Sequence, residues 1–240
     1  MSKKEAIVDT CFFNKLSCDG KDIETFKRVL IDLEFVPVVH PYIAEKELDV
    51  FSGFDKLVEE GFVRVVSYDE FIEDQDDKDL YVRYFHDLYE EMRTYLEITD
   101  SKKQIDILHL PEGQTIFTYR KAGMSFGDIH IILMATIMRL PIILSEDSDI
   151  KFLRSVAKRK IVGDIYSLDI YNVIDLITII AQKVDGSISK KELKKIVLNV
   201  KEKKHLSEVK KTWNDSHSTM LQITLKRNAS SATAERLFHF

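Results

Sequence analysis

Short apolar runs alternate with helical segments along most of the chain, and this alternation constrains the fold more than any other feature. Predicted strands lie at residues 6–8, 35–39, 62–66, 142–144 and 161–166. Predicted helices fill the intervals at 22–33, 42–51, 80–97, 129–140, 150–157 and 171–184. Strands that are short and apolar on both faces are typical of a parallel sheet covered on both sides. The pattern therefore predicts an α/β fold with three layers, α/β/α.

Composition excludes several classes of protein. Gly and Pro number only 8 and 4 in 240 residues, too few for a collagen-like or linker-rich chain. The apolar fraction of 45% excludes global disorder. We expect no transmembrane helix and no membrane partner, because no window holds about 18 consecutive apolar residues. The first ten residues lack the apolar stretch of a secretory signal, so we expect a cytoplasmic protein in which Cys11 and Cys18 are reduced thiols.

The net charge of −5 conceals two regions of opposite sign. Residues 1–186 hold 23 Lys+Arg and 35 Asp+Glu, whereas residues 187–240 hold 12 and 5. We therefore predict a domain at 1–185 and a basic helical extension at 186–240, with a flexible stretch at 228–234. Such an extension is suited to contact with nucleic acid, contact with an acidic partner, or packing onto the domain.

Acidic residues end the predicted strands or open the helices that follow them. The carboxyl ends of parallel strands meet at one edge of a sheet, where α/β proteins place their sites. Carboxylates gathered there repel one another unless a cation joins them, and Mg²⁺ or Mn²⁺ prefers oxygen ligands. The simpler alternative is that single aspartates, Asp149 above all, cap helices. The candidates are Asp9, Asp128, Asp147, Asp149 and Glu47, with Glu45 as the rival of Glu47.

Two segments also resemble PIN-domain nucleases. In GDIHIILMATIMRLPIILSEDSDIKFL (127–153), Asp128 opens a helix with small residues, and a strand leads into a motif similar to the family's Thr/Ser-x-Asp-x-Asp. The motif here is Ser-Glu-Asp-Ser-Asp at 145–149. The start, AIVDTCFF (6–13), resembles the family's first strand with its Asp, matched by Asp9. Glu47-Leu48 fits the family's Glu-Leu pair.

The resemblance covers residues 5–184 and implies a PIN-like metal-dependent endoribonuclease of the toxin or RNA-processing type. It implies that Asp9, Glu47, Asp128 and Asp147 hold Mg²⁺ or Mn²⁺, with Asp149 assisting. It also implies an RNA substrate and, often, an antitoxin or other protein partner, with a homodimer left open. The longer acidic segment at 68–115 and the C-terminal extension depart from the compact members of the family. A structure-specific DNA nuclease and a catalytically silent PIN-like scaffold remain alternatives.

Several other polar residues are assigned supporting roles. Ser145 and Thr10 are expected either to hydrogen-bond the ligating carboxylates or to be ordinary turn hydroxyls. His130 is expected to be structural, because on a helix it does not share a face with Asp128, two residues earlier. Two basic sets are candidates for phosphate contacts, and the alternative for each is an ordinary solvated helix surface. They are Lys190, Lys191, Lys194 and Lys195, and Arg154, Lys158, Arg159 and Lys160.

Overall fold

Five parallel strands form the sheet in the computed structural model, which describes residues 4–99, 105–120, 126–162 and 167–218. The strands are β1 (Lys4–Val8), β2 (Phe35–Val39), β3 (Arg64–Val65), β4 (Ile142–Leu144) and β5 (Asp169–Tyr171). Their order is β3-β2-β1-β4-β5, and all neighbours are parallel. Helices flank the sheet, which confirms the predicted three-layer α/β/α fold with a helical C-terminal part.

The helices between the strands fall into two packed groups. They are α1 (Thr10–Ser17), α2 (Ile23–Asp32), α3 (Pro41–Lys46), α4 (Ser52–Glu59), α5 (Gln75–Thr99), α6 (Phe126–Ile137) and α7 (Ile150–Ala157). Helices α1, α2 and α4 belong to one group, and α5, α6 and α7 contact one another in the other. Right-handed crossovers that run in opposite directions along a sheet produce this division between its two faces.

The direction of winding reverses between β1 and β4. The chain passes from β1 to β2 and β3 on one side, then crosses back to β4 and β5 on the other. Val8 pairs with Leu144, so the two central strands end level with each other. Parallel sheets bind their ligands at such a switch point, outside the carboxyl ends of the strands. The residues that follow β1 and β4 therefore occupy the position where a site is expected.

Helix α6 is enclosed by the rest of the fold. All of residues 126–136 are buried, including Asp128 and His130. An apolar sequence on every side of a helix predicts such complete burial, and the structure confirms it. The helix begins at Phe126, three residues before the predicted start, so Asp128 lies inside its first turn.

The fifth strand was predicted at the wrong place. Ile161 and Val162 lie in a π-helical turn, Lys158–Val162, that continues α7, and residues 163–166 lie outside the described residues. The strand is Asp169–Tyr171, which pairs with β4 from Ile142 to Leu144. Two adjacent apolar residues cannot distinguish the end of a helix from a strand, which explains the error.

The helix predicted at 42–51 is also wrong in length. It ends at Lys46 and leaves Glu47 as the residue that caps its carboxyl end. A separate helix, α4, then begins at Ser52. In contrast, α5 begins earlier than predicted, and its first turn carries Asp76 and Asp77, charges that suit a helix amino terminus.

The C-terminal unit is helical. The chain divides into two compact units, Met1–Val173 and Ile174–Phe240, whereas the sequence suggested a division after residue 185. The second unit contains most of α8 (Val173–Gln182), then α9 (Lys190–Asn199), a 3-10 turn at Lys203–His205 and a helix over residues 206–218. The stretch 228–234, predicted as flexible, lies outside the described residues. Among the residues described, no helix combines the length and apolar character needed to cross a membrane.

Replacement of Ile143 by Ala tests the importance of the central strands. Ile143 is fully buried in β4, and the loss of its side chain should lower the free energy of unfolding by about 2–5 kcal/mol. The matched control is Ile31→Ala, because Ile31 is 60% exposed and should change stability by less than about 0.5 kcal/mol. Urea denaturation followed by circular dichroism measures both. Equal effects of the two substitutions would contradict the assigned core.

Candidate functional site

Asp9 lies directly at the switch point. Its backbone N–H donates to the Leu144 carbonyl (3.0 Å), which ties the end of β1 to the end of β4. Its side chain is only 5% exposed, and Oδ2 accepts hydrogen bonds from the Ser145 hydroxyl (2.7 Å) and the Cys11 thiol. Burial raises the pKa of the Asp9 carboxyl above its ordinary value, whereas these hydrogen bonds lower it and the charge of Asp147 raises it further.

The loop after β4 folds over Asp9 through its own hydrogen bonds. Ser145 Oγ, besides donating to Asp9, accepts the backbone N–H of Asp147 (3.0 Å). Asp147 Oδ1 accepts the backbone N–H of Asp149 (2.8 Å). The loop therefore fixes Ser145 and Asp147 beside the end of β1. The expected contact between Ser145 and a candidate carboxylate is confirmed.

Glu47 reaches the same region from the end of α3. Thr10 Oγ1 donates to Glu47 Oε2 (2.6 Å), which is the expected hydrogen bond from Thr10 to a candidate carboxylate. A Cβ atom at Gly127 would collide with Glu47 Oε1, so the Glu47 carboxylate lies against the first turn of α6. Burial and the charge of Asp9 raise the pKa of Glu47, and the Thr10 hydrogen bond and Arg120 lower it. The rival residue, Glu45, is instead exposed and pairs with Lys46 (3.6 Å).

Asp128 is a buried carboxyl group on which the charges of the other candidate carboxylates act. Burial raises the pKa of Asp128 well above its ordinary value, and four neighbouring negative charges raise it further. Those charges are Asp9, Asp147, Glu47 and Asp149. Asp9, Glu47, Asp128, Asp147 and Asp149 are called the carboxylate cluster below. The other four predicted site residues thus lie near enough to Asp128 for their charges to act on it.

The carboxylate cluster is not arranged as a finished metal site. Within residues 4–99, 105–120, 126–162 and 167–218, no three His, Cys, Asp or Glu side chains form a group ready to hold a metal ion. In the same residues, no Lys or Arg forms an ion pair with Asp9, Asp128 or Asp147. Asp9, Asp128 and Asp147 offer only oxygen ligands and repel one another, and such a set fits a hard divalent ion in its chemistry.

Cys11 was not predicted to be part of this region. Its thiol donates to Asp9, lies 3.5 Å from Ser145 Oγ and accepts the backbone N–H of Glu146 (3.2 Å). Burial and the charge of Asp9 raise the pKa of the thiol, so it is protonated and acts as a hydrogen-bond donor. The only sequence signal was its position two residues after Asp9.

The basic residues of α7 and of the π-helical turn after it contact other parts of the first unit rather than the carboxylate cluster. Arg154 Nη1 donates to the carbonyl of Leu168 (2.8 Å), directly before β5 begins. Arg159 and Lys160 pair with Glu91 of α5 at 3.3 and 2.8 Å. The helix runs from the carboxyl edge, where Asp149 precedes it, toward the amino edge of the sheet. Arg154 therefore lies at the start of β5 rather than beside the residues that follow β1 and β4.

His130 belongs to a buried chain of hydrogen bonds. The Tyr42 N–H donates to His40 Nδ1 (3.0 Å), so the proton of His40 is on Nε2, which lies 3.2 Å from Tyr81 Oη. Tyr81 in turn donates to His130 Nδ1 (2.8 Å), and His130 Nε2 donates to the Ile116 carbonyl (3.0 Å). Burial lowers the pKa of His130 to about 3. His130 is thus a neutral, interior residue.

Comparison with known proteins found no matching family model, no matching curated protein and no matching solved structure.

Asp128→Asn should stabilise the metal-free protein, and more so as the pH rises. The folded protein keeps a proton on Asp128 at pH values where the unfolded chain, with an ordinary pKa near 3.8, has lost it. The wild type therefore loses stability as pH rises from that value through the raised folded pKa, whereas Asn carries no proton to lose. Above that pKa we expect the free energy of unfolding of Asp128→Asn to exceed that of the wild type by about 1–3 kcal/mol. Urea denaturation with EDTA present measures this difference.

The control for this experiment is Asp87→Asn, an exposed Asp on α5. Its effect should be small and independent of pH. The difference in free energy of unfolding between the wild type and Asp128→Asn should widen as the pH rises. A difference that stays constant or narrows would contradict a buried Asp128 carboxylate that is repelled by its neighbours.

Tyr81→Phe should destabilise the protein because it interrupts the buried series of hydrogen bonds between His40 and His130. The loss of the hydroxyl leaves His40 Nε2 and His130 Nδ1 without their partner in a fully buried region, at a cost of about 2–4 kcal/mol. Tyr84→Phe on the same helix is the matched control, because Tyr84 is partly exposed and should change stability by less than about 0.5 kcal/mol. Thermal denaturation gives the melting temperatures of both variants. Equal melting temperatures would show that the buried hydrogen bonds of Tyr81 do not stabilise the protein.

Proposed function

We propose that the protein is a metal-dependent endoribonuclease that hydrolyses phosphodiester bonds in RNA. Asp9, Glu47, Asp128 and Asp147 would hold Mg²⁺ or Mn²⁺, with Asp149 assisting. The observation that carries this proposal is the convergence of the carboxylate cluster at the switch point of a parallel sheet. The resemblance of residues 5–184 to PIN-domain nucleases implies the same positions, with Glu47 as the match to the family's Glu.

When bound, the cation supplies Lewis-acid activation of the phosphodiester and of the attacking water. The chain itself orients the carboxylates that hold it. Ser145 holds Asp9, Thr10 holds Glu47, and the Asp149 N–H holds Asp147, each by a hydrogen bond to one carboxylate oxygen. Such supporting contacts fix the direction of metal ligands.

Proton release should accompany cation binding. The pKa values of Asp9, Glu47 and Asp128 are raised by burial, and metal ligands must be deprotonated. A cation would replace the protons that relieve the repulsion inside the carboxylate cluster. Affinity for Mg²⁺ or Mn²⁺ therefore rises with pH in this proposal.

A catalytically silent scaffold is the second candidate. The described residues contain no finished three-ligand cluster, and this observation favours a protein that uses the fold for binding rather than for cleavage. The partner of such a scaffold would be a protein, as an antitoxin is for the toxin-type nucleases that the sequence resembles. A structure-specific DNA nuclease would use the same carboxylates as the ribonuclease.

Asp9→Asn should abolish metal-dependent cleavage while the protein remains folded. We expect cleavage of a mixed RNA pool with Mg²⁺ or Mn²⁺ to fall by about 100-fold or more, because Asp9 would be a direct ligand. Asp87→Asn, an exposed control, should cleave like the wild type. Parallel reactions on single-stranded and flap DNA separate the ribonuclease from the DNA nuclease.

A second measurement separates the enzyme from the scaffold. Mn²⁺ should raise the melting temperature of the wild type and of Asp87→Asn, because a ligand that binds only the folded state stabilises it. It should have little effect on Asp9→Asn or Asp128→Asn. Normal cleavage by Asp9→Asn would refute the site, and absence of both cleavage and stabilisation with either metal would favour the scaffold.

A further inference from the structure

Arg120 follows a residue that is fixed to both helices that bring Glu47 and Asp128 to the carboxylate cluster. The Tyr42 hydroxyl, in the first turn of α3, donates to the carbonyl of Tyr119 (3.0 Å). The Tyr119 ring also packs edge-on against the Phe ring that begins α6, with 6.0 Å between the centroids. Helix α3 ends just before Glu47, and Asp128 lies in the first turn of α6. The backbone next to Arg120 is therefore held beside both helices.

The Arg120 side chain is exposed and has one distant partner. Its Nη1 lies 3.5 Å from Oδ2 of Asp49, two residues after Glu47, and the two side chains are 54% and 42% exposed. Ion pairs between such exposed groups contribute little to stability. Arg120 forms no other ion pair within the part of the chain that the structure describes. A guanidinium carries five N–H donors, so most of the donors of Arg120 can meet a ligand.

The positive charge of Arg120 acts on the carboxylate cluster. Burial raises the pKa of the Glu47 carboxyl, and the charge of Arg120 lowers it. Basic residues on the neighbouring helices have other partners. Lys15 of α1 pairs with Glu146 (2.6 Å), and Arg154 of α7 donates to a carbonyl directly before β5. Arg120 therefore combines an exposed guanidinium with a position beside the carboxylate cluster.

We propose that Arg120 binds a phosphate group of the nucleic-acid strand that lies across the carboxylate cluster. The identification of that strand as RNA rests on the proposed function. A polyanion that approaches the carboxylate cluster is repelled, so a positive group beside it is needed to hold the strand. A guanidinium donates two parallel hydrogen bonds to the oxygens of one phosphate. On binding, the phosphate takes the place of the exposed Asp49 carboxylate as the partner of Arg120.

Binding without cleavage tests this contact. The full chain with Asp9→Asn, in EDTA, is titrated into a fluorescein-labelled uridine oligonucleotide of about 20 residues, and fluorescence anisotropy gives Kd at several salt concentrations. Addition of Arg120→Gln to this parent should raise Kd about fivefold or more. The slope of log Kd against log salt should fall by about 0.7, the contribution of one phosphate contact on a single strand. A parent that does not bind at low salt, or equal Kd values with and without Arg120→Gln, would overturn the proposal.

The matched control is Arg83→Gln in the same Asp9→Asn parent. Arg83 is an exposed arginine on α5, and its replacement removes the same charge. We expect Kd to change by less than about twofold. Equal weakening by the two substitutions would contradict the proposal, because general attraction would then explain the loss. If Arg120→Gln melts well below the parent, Arg120→Lys takes its place; it keeps the charge but loses the planar fork, and Kd should still rise about twofold or more.

A parallel titration identifies the strand. The probe is a deoxyuridine oligonucleotide of the same length and label. Binding of the uridine probe should depend on Arg120 as described above. Dependence on Arg120 that is seen with the deoxyuridine probe alone would refute the RNA assignment in favour of DNA.

Steady-state cleavage with Mn²⁺ tests whether the contact belongs to the site that cleaves. Relative to the wild type, Arg120→Gln should raise KM about fivefold or more and leave kcat within about threefold, because a residue that holds the phosphate before and during the reaction contributes to substrate binding. A fall in kcat at unchanged KM would be incompatible with this role. The titrations need neither metal nor cleavage. A wild type that cleaves no RNA would therefore refute the proposed function, whereas weaker binding by Arg120→Gln would still support the contact.

Discussion

Burial of α6 from Phe126 to Thr136 is the constraint on which the rest of the first unit depends. A helix enclosed along three turns must provide a partner for each polar side chain that it carries, because water cannot reach them. His130 meets this requirement through Tyr81 and the Ile116 carbonyl, so α5 and the segment near residue 116 are fixed against α6. Asp128, one half-turn earlier, receives four neighbouring negative charges instead. The same helix therefore carries a buried His130 whose two ring nitrogens are hydrogen-bonded. In its first turn it carries Asp128, whose ionised form is disfavoured by the neighbouring charges.

Charge is separated along the direction of the strands. The carboxylate cluster lies at the carboxyl edge of the sheet, whereas Arg154 of α7 binds the Leu168 carbonyl at the amino end of β5, and Arg159 and Lys160 pair with Glu91 of α5. This separation leaves the carboxyl edge strongly negative, which suits a small cation and repels a nucleic acid.

Much of the fold could be predicted from sequence because its strands are continuous apolar runs. The bounds of β2, β4 and α7 match the predicted ones, since each is delimited by a polar residue or by Pro. The sequence could not distinguish Glu45 from Glu47 as the candidate site residue. The distinction depends on where α3 ends and on the hydrogen bond from Thr10, which is distant in sequence. β5 was missed because Asp169–Tyr171 is a three-residue strand that opens on an exposed Asp. The role of Cys11 and the position of Arg154 depend on tertiary packing, which periodicity does not record.

The strand order also has a consequence for synthesis on the ribosome. Ala6 pairs with Pro37 on one side and with Ile142 on the other, so one edge of the central strand can be covered early. The other edge stays open until more than half of the chain has emerged, and an open strand edge invites pairing with other chains. Contacts between residues so distant in sequence form slowly. The crevice between β1 and β4, and with it the meeting of Asp9, Asp128 and Asp147, comes into existence only in the later part of translation.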